Sequence, residues 1–474
     1  MPSLDFLSMH GWQATSFRWN AGQLFALAFV GSIVSWLCLV FHRLFLHPLR
    51  NVPGPKLAAA TSWYEFYQDV ILDGHYLKDY PRLHAQYGPI VRMSPNRVHV
   101  DDVAFYHKVY STRTRYLKEP AMFKFAGELD ALAFVLDPAE HKIRRGVVNP
   151  LFTPRAVLDF SPTALQIIKA ALEKVEEARE SGLPVSLKKL ESSLVIDVVV
   201  KLCFGKDMNC VREAERCNGL VESMTALSRR FSLVKHFPFL GNAVKSFPNR
   251  FMAHILPGFV EFRNQCAELV TEVRERHQKG IFADETGRQT VFDAMIAAEP
   301  QRPTDGFVDE AFALVFGGTD TTVTTMTVAI WCILKNPDIE KKLLDELNTV
   351  EMNSDGLMEY PGLINLPYLT TVSTAQRMIH HNPELFPEPD VFAPERWLGD
   401  GASANKANLV PFSRGPRMCL GMNLSYMEVY TFLGNLFRRY SMSLEKPDQA
   451  ALGWSDQISL VLKDDVRIKV NGLR

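Results

Sequence analysis

The chain has little of what would tie it to nucleic acid, to zinc or to a secreted disulfide scaffold. Its 52 basic and 53 acidic residues nearly cancel, so no net field draws it to a polyanion. Its seven cysteines, at positions 38, 203, 210, 217, 266, 332 and 419, form no C-x-x-C pair and no regular spacing. That argues against a zinc site and a disulfide framework, and a reducing, cytosol-facing environment fits best. There is no internal repeat, no low-complexity tract and no G-x-G-x-x-G fingerprint for a dinucleotide. Charge is also missing from Ala21 to Phe41, an apolar run long enough to cross a bilayer as a helix. A membrane anchor is the favoured reading. A cleaved signal peptide fits less well, because the run is long and its leader has few basic residues and an acidic Asp5. A buried helix of a soluble core remains open. Arg43, Arg50 and Lys56 follow the span and put the main body in the cytosol. Asn51-Val52-Pro53-Gly54-Pro55 then stops the helix and stiffens the exit.

What is present is a chain of 474 residues, 47% hydrophobic, able to bury a large core. Residues 88 to 102 alternate apolar and polar around Pro95-Asn96, which predicts a hairpin. Residues 160 to 205, 258 to 279 and 307 to 350 carry the helical period. The fold class is therefore mainly α with small β-sheets (α+β), with strands near both ends.

Two stretches carry chemistry. In Phe412-Ser413-Arg414-Gly415-Pro416-Arg417-Met418-Cys419-Leu420-Gly421, one cysteine stands between two glycines at the mouth of a helix marked by Leu424, Met427, Leu433, Leu436 and Phe437. The positive end of that helix favours an anionic Cys419, Gly415 suits a tight turn, and Gly421 leaves room for a flat ring above the helix. Arg417 is suited to a carboxylate. The bland alternative is a small buried hydrophobe beside a loop. In Ala311 to Thr322, Gly317, Gly318, Thr319, Asp320, Thr321 and Thr322 interrupt an apolar helix. These are poor helix formers where the period asks for good ones. A helix end with a capping Thr or Asp is the alternative.

Phe412, Gly415, Arg417, Cys419 and Gly421 together fit F-x-x-G-x-R-x-C-x-G, and the chain resembles the cytochrome P-450 family, particularly its fungal, microsomal members. Gly317 to Thr322 is similar to that family's [AG]-G-x-[DE]-T-[TS] helix. His141 and Arg145, one helical turn apart, fall where fungal members contact haem propionates. Phe386 to Trp397 resembles the meander and P-E-R-[FW] signature, with Arg396 as its arginine. The resemblance implies a haem cofactor with Cys419 as axial ligand of the iron. Thr321 would hydrogen-bond dioxygen, Asp320 would support its protonation, and Gly317 and Gly318 would make the groove. It implies a monooxygenase that puts one oxygen atom into a hydrophobic substrate and releases the other as water. Electrons would come from NADPH through a separate NADPH-cytochrome P-450 reductase, with cytochrome b5 as a further partner. The implied layout is a lumenal 1–20, an anchor 21–41, a basic hinge 42–56 and a catalytic domain 57–474 on the endoplasmic reticulum. The substrate wall would draw on Met122 to Phe134, including Phe123, Phe125 and Leu129, and on Ile458 to Leu462. Arg229 to Phe251 would touch the membrane. A fungal secondary metabolite such as a terpenoid is the implied substrate.

One departure matters. The family carries an E-x-x-R pair before P-E-R-[FW], and no glutamate between 323 and 394 has an arginine three positions later. By resemblance about 45 to 50 residues are missing at Val372-Ser373, too many for a change of loop length. The loss would leave Arg396 without partners, at roughly 3 to 5 kcal/mol if the charge were buried. An inactive or haem-deficient shortened variant is therefore the alternative to a working enzyme.

Overall fold

Asn20 begins the first described element by capping it reciprocally: its side chain accepts the Gln23 N–H (2.8 Å) while the Gln23 side chain accepts the Asn20 N–H (3.1 Å). The helix that follows, α1 (Ala21–Phe41), has no buried residue and is apolar on every face. At 1.5 Å per residue its 21 residues span about 31 Å, the thickness of a bilayer's hydrocarbon core. The computed structural model describes residues 20–123, 129–228, 231–239, 254, 257–370, 380–399, 402–457 and 459–474. The expectations for Phe125, Ile458, the Val372-Ser373 junction and most of 229–251 lie outside those residues.

The described residues group into two units, one of 20–65 with 83–100, the other of 66–82 with 101–474. In the first, β1 (Ile90–Ser94) pairs antiparallel with β2 (Arg97–Val100), Ile90 opposite Val100, as the alternation around Pro95-Asn96 predicts. The proline hinge packs on this hairpin. Arg92 N–H donates to the Pro53 carbonyl at 2.7 Å, and a Cβ on Gly54 would lie 2.5 Å from the Arg92 carbonyl oxygen.

The second unit is helical. Its longer helices are α2 (Pro138–Val148), α3 (Pro154–Ser181), α4 (Leu187–Phe204), α5 (Ala214–Ser228), α6 (Pro257–Gln278), α7 (Thr304–Leu334), α8 (Pro337–Leu347) and α9 (Met422–Arg439). The periodic run 160–205 is two helices, because Gly182 turns left-handed (φ 69°) and Pro184 cannot continue α3. The run 307–350 likewise breaks at Asn336-Pro337. Helices α3, α4, α7 and α9 pack against one another, and α4 is buried on nearly every face. The chain leaves α9 directly into β4 (Tyr440–Leu444), which joins β3 (Val185–Ser186) and β7 (Arg467–Leu473) in an antiparallel sheet ordered β3-β7-β4. A separate hairpin pairs β5 (Trp454–Gln457) with β6 (Ser459–Leu462). Cys210 is disulfide-bonded, which the irregular cysteine spacing did not announce.

Candidate active site

The cysteine loop folds back on itself before α9 begins. Gly415 to Arg417 make one 3-10 turn, Met418 N–H donates to the Gly415 carbonyl (3.1 Å), and Cys419 N–H donates to the Phe412 carbonyl (2.9 Å). Gly415 is required twice over. Its φ is +73°, and a Cβ there would lie 2.4 Å from the Tyr110 carbonyl oxygen. Gly421 caps α9, and a side chain at that position would meet nothing within 4 Å. Phe412 packs edge-on against Tyr426 of α9, ring centres 5.0 Å apart.

Cys419 is accessible. Its thiol is nevertheless pushed above the ordinary value, because desolvation by the surrounding protein outweighs the Gly421 N–H and the charge of Arg145. The helix-end N–H of Gly421 does favour the anion, as the sequence reading expects, but burial outweighs it in the folded chain.

Positive charge gathers beside this loop. Arg145 of α2 donates to the Met418 carbonyl at 2.7 Å, and Arg417 donates to the carbonyls of Val135 and Leu136. His141, 6% exposed, sits one turn before Arg145. Burial, with Arg417, Arg145, Lys118 and Arg144 nearby, lowers its pKa to about 4. Burial and Arg417 lower that of Lys118 to about 8. Arg145 and Arg417 are both pulled down, chiefly by burial. Two arginines lowered by burial, and a lysine and a histidine lowered by burial and by cations beside them, make a site suited to an anion such as a carboxylate. Lys118 escaped the sequence reading because it lies in no motif and meets the others only in the fold.

Helix α7 runs unbroken through Gly317–Thr325, so the capping alternative fails. Its hydroxyls turn back on the helix: Thr319 donates to the Val315 carbonyl (2.8 Å), Thr321 to Gly317 (2.8 Å) and Thr322 to Gly318 (3.0 Å). Gly317 and Thr321 are exposed on one face, and a Cβ on Gly317 would meet nothing within 4 Å. Gly318 points elsewhere. A Cβ there would touch Val199 of α4 at 3.1 Å, so it serves helix packing and only Gly317 opens the face. Thr322 also approaches Ser425 of α9 (3.4 Å), which sets α7 against the helix that follows Cys419. Asp320 accepts a hydrogen bond from the Ser459 hydroxyl at 2.9 Å and lines a recess of mixed character with Lys188, Thr324, Met224, Val323 and Val461.

Arg396 is not a buried orphan. Its guanidinium, half-buried, donates to the carbonyls of Pro387, Glu388, Val391 and Ala393, so the cost expected for an unpaired buried charge does not arise. Leu129 lies in the core and Phe134 packs against it, which gives both an ordinary packing role.

The sequence model of the family described as Cytochrome P450 matches residues 62–374 and 370–465. The chain is 33% identical to "Cytochrome P450 monooxygenase BOT1" of Botryotinia fuckeliana, covering 92% of this chain and 93% of that protein. It is 29% identical to "Conidiogenone synthase PchP450" of Penicillium rubens (86% and 91%), and 30% identical to "Cytochrome P450 monooxygenase TRI4" of Trichoderma arundinaceum (86% and 87%). The family match falls into two stretches that meet at 370–374. The Botryotinia alignment runs over 483 positions while taking in 92% of 474 residues, so about 47 of its positions find no residue here.

Proposed function

The chain belongs to the cytochrome P450 family of haem-thiolate monooxygenases, and from that premise we propose that it oxidises a hydrophobic fungal secondary metabolite such as a terpenoid. Electrons come from NADPH through a separate reductase, with cytochrome b5 as a second donor. Helix α1 anchors it in the endoplasmic reticulum membrane with residues 57–474 in the cytosol.

The observation that carries this reading is the meeting of Cys419 with a cluster of cations, through the bond from Arg145 to the Met418 carbonyl. Cys419 would hold the haem iron in a loop shaped by Phe412, Gly415 and Gly421, and His141, Arg145 and Arg417 would receive the propionates. Haem held through a thiolate supplies the activation of dioxygen, the sulfur's electron density favouring O–O cleavage. The Gly421 N–H and Arg145 stabilise the thiolate that Cys419 must become. His141 stays neutral among its cations until a carboxylate arrives and favours its charged form. Thr321 keeps its proton on the Gly317 carbonyl and presents its lone pairs to the open face, so it accepts a bond there and donates one by releasing Gly317. Asp320, held by the Ser459 hydroxyl at the edge of the recess it lines, would be the carboxylate that supports protonation near Thr321.

The test is the reduced, carbon-monoxide difference spectrum of the chain in membranes. A thiolate-type Soret band that disappears in Cys419→Ala supports the assignment, whereas a thiolate band surviving in that variant ends it.

A second reading rests on the break in the family match at 370–374. On it, the chain lacks an internal segment of about 47 residues at Val372-Ser373 and is a haem-deficient form of such an enzyme. Stoichiometric haem and substrate oxidation by this chain would rule it out.

A further inference from the structure

Residues 129–136 form no helix or strand, so their backbone groups need other partners. The Phe134 and Val135 N–H groups turn back on the Ala131 carbonyl (2.8 and 3.2 Å), and charged side chains hold others. The Asp130 N–H donates to Asp309 (2.9 Å), and the Leu132 N–H donates to both carboxylate oxygens of Glu310 (2.9 and 3.1 Å). The Asp130 carbonyl accepts from Arg144 (3.2 Å) and from Arg302. The Ala133 carbonyl accepts from Lys118 (2.6 Å), and those of Val135 and Leu136 from Arg417. At the centre, Arg144 and Glu310 meet at 2.9 Å with side chains 7% and 1% exposed, and Arg144 also holds the Asp130 carboxylate at 2.6 Å.

These ions come from separate walls of the site. Asp309 and Glu310 lie on α7 ahead of Gly317, Arg144 neighbours Arg145 on α2, and Arg417 belongs to the cysteine loop. We propose that 129–136 is an ion-held strap joining the Thr321 helix to the Cys419 loop, with Arg144 and Glu310 as positioning residues that preorganise the anion-binding cations Lys118 and Arg417. The haem part of this proposal rests on the function proposed above; the strap itself does not.

A pair that only stabilises the fold and a pair that positions the strap respond differently to substitution. Replacing both members of a buried ion pair by apolar residues is often neutral for stability. It still removes the carboxylate that holds the Leu132 N–H and the guanidinium that holds Asp130.

The experiment is hydrogen exchange on the full chain in lipid nanodiscs, without and with added haem, for wild type, Arg144→Met, Glu310→Gln, Arg144→Lys and the double variant Arg144→Met/Glu310→Leu. In the haem-free wild type, the amides of Asp130 and Leu132 are expected to be protected. Glu310→Gln exchanges the charged acceptor of the Leu132 N–H for a neutral one and Arg144→Met frees the Asp130 carbonyl and carboxylate, so each loosens the strap and speeds exchange by about tenfold or more, while α4 amides are unchanged. Arg144→Lys recovers part of the protection. The double variant keeps its melting temperature but not the protection, and with haem added it loses the cofactor to apomyoglobin several-fold faster than wild type. Rapid exchange of both amides in the wild type overturns the strap even if no variant folds. Restored protection in the double variant overturns the positioning role. An unchanged rate of haem loss with a loosened strap overturns the link to the cations. A strap that is protected in a chain unable to bind haem would refute the proposed function while leaving the strap standing.

Discussion

A histidine walled off from water and faced by Arg417, Arg145 and Lys118 is a poor place for a proton unless an anion joins it. His141 titrates near 4 in the folded, cofactor-free chain against 6.5 when unfolded. Its folded pKa is depressed, so the stability it contributes is fully present above about 6.5 and drains as pH falls through about 4. His141→Gln removes that slope. Urea unfolding of the haem-free chain should show wild type losing more stability than His141→Gln between pH 7.5 and 4.5, and equal losses would mean that the cluster does not govern this residue. The neighbouring cysteine follows the same logic with opposite sign: burial works against its charged form until something positive arrives. On the function proposed above, Cys419 and His141, the second a weaker sequence match than the first, would be completed by the same flat, dianionic, metal-bearing group. Lys118 shares that dependence, yet nothing in its local sequence distinguishes it from a surface lysine.

Helix α7 packs one glycine and exposes another, and the two should respond to the same substitution in opposite ways. Gly317→Ala meets no neighbour and gains helix propensity, so it should stabilise the haem-free chain by about 0.5 to 1 kcal/mol while obstructing the face shared with Thr321. Gly318→Ala presses on Val199 at 3.1 Å and should destabilise, by about 1 kcal/mol or more. Thermal melts of both variants, with carbon-monoxide affinity for Gly317→Ala, check the division; equal shifts in both would refute it. The sequence could name this glycine pair but not tell its members apart, because the difference lies in α4, more than a hundred residues away. Periodicity found the helices and the hairpin at 90–100, where each element's own residues decide its form. It ran together α3 with α4 and α7 with α8, because one glycine or one Asn-Pro step barely disturbs a count of apolar positions. The strap at 129–136 was read only as hydrophobic wall, since its holding ions, Arg302, Asp309 and Glu310, sit some 170 residues further on and no local pattern announces them.

At the scale of the whole chain, both flanks of residues 371–379 are tied by side-chain hydrogen bonds to parts of the chain more than twenty residues away. On one side, Glu346 of α8 accepts the N–H groups of Tyr368 (2.8 Å) and Leu369 (2.9 Å). On the other, His380 accepts the Val410 N–H at 3.0 Å, and its ring meets Phe386 edge-on at 5.5 Å. Arg396, the arginine of the P-E-R-W turn, spends its hydrogen bonds on carbonyls of its own meander, so the fold around it does not collapse for want of a glutamate partner. On the second reading above, the burden of a missing segment would fall on the cofactor site more than on the stability of the helical core, whose buried residues lie mainly on α3, α4, α7 and α9. A chimera that inserts the aligned segment of the Botryotinia relative between Val372 and Ser373 separates the two. The expected outcome is little change in the urea midpoint of the haem-free protein, a rise from substoichiometric haem to one per chain, and a shift of the reduced carbon-monoxide band to the thiolate type. If the short chain already holds one haem with a thiolate band, the segment is dispensable for the cofactor. If the chimera gains stability without gaining haem, the inserted residues serve the core and not the cofactor site.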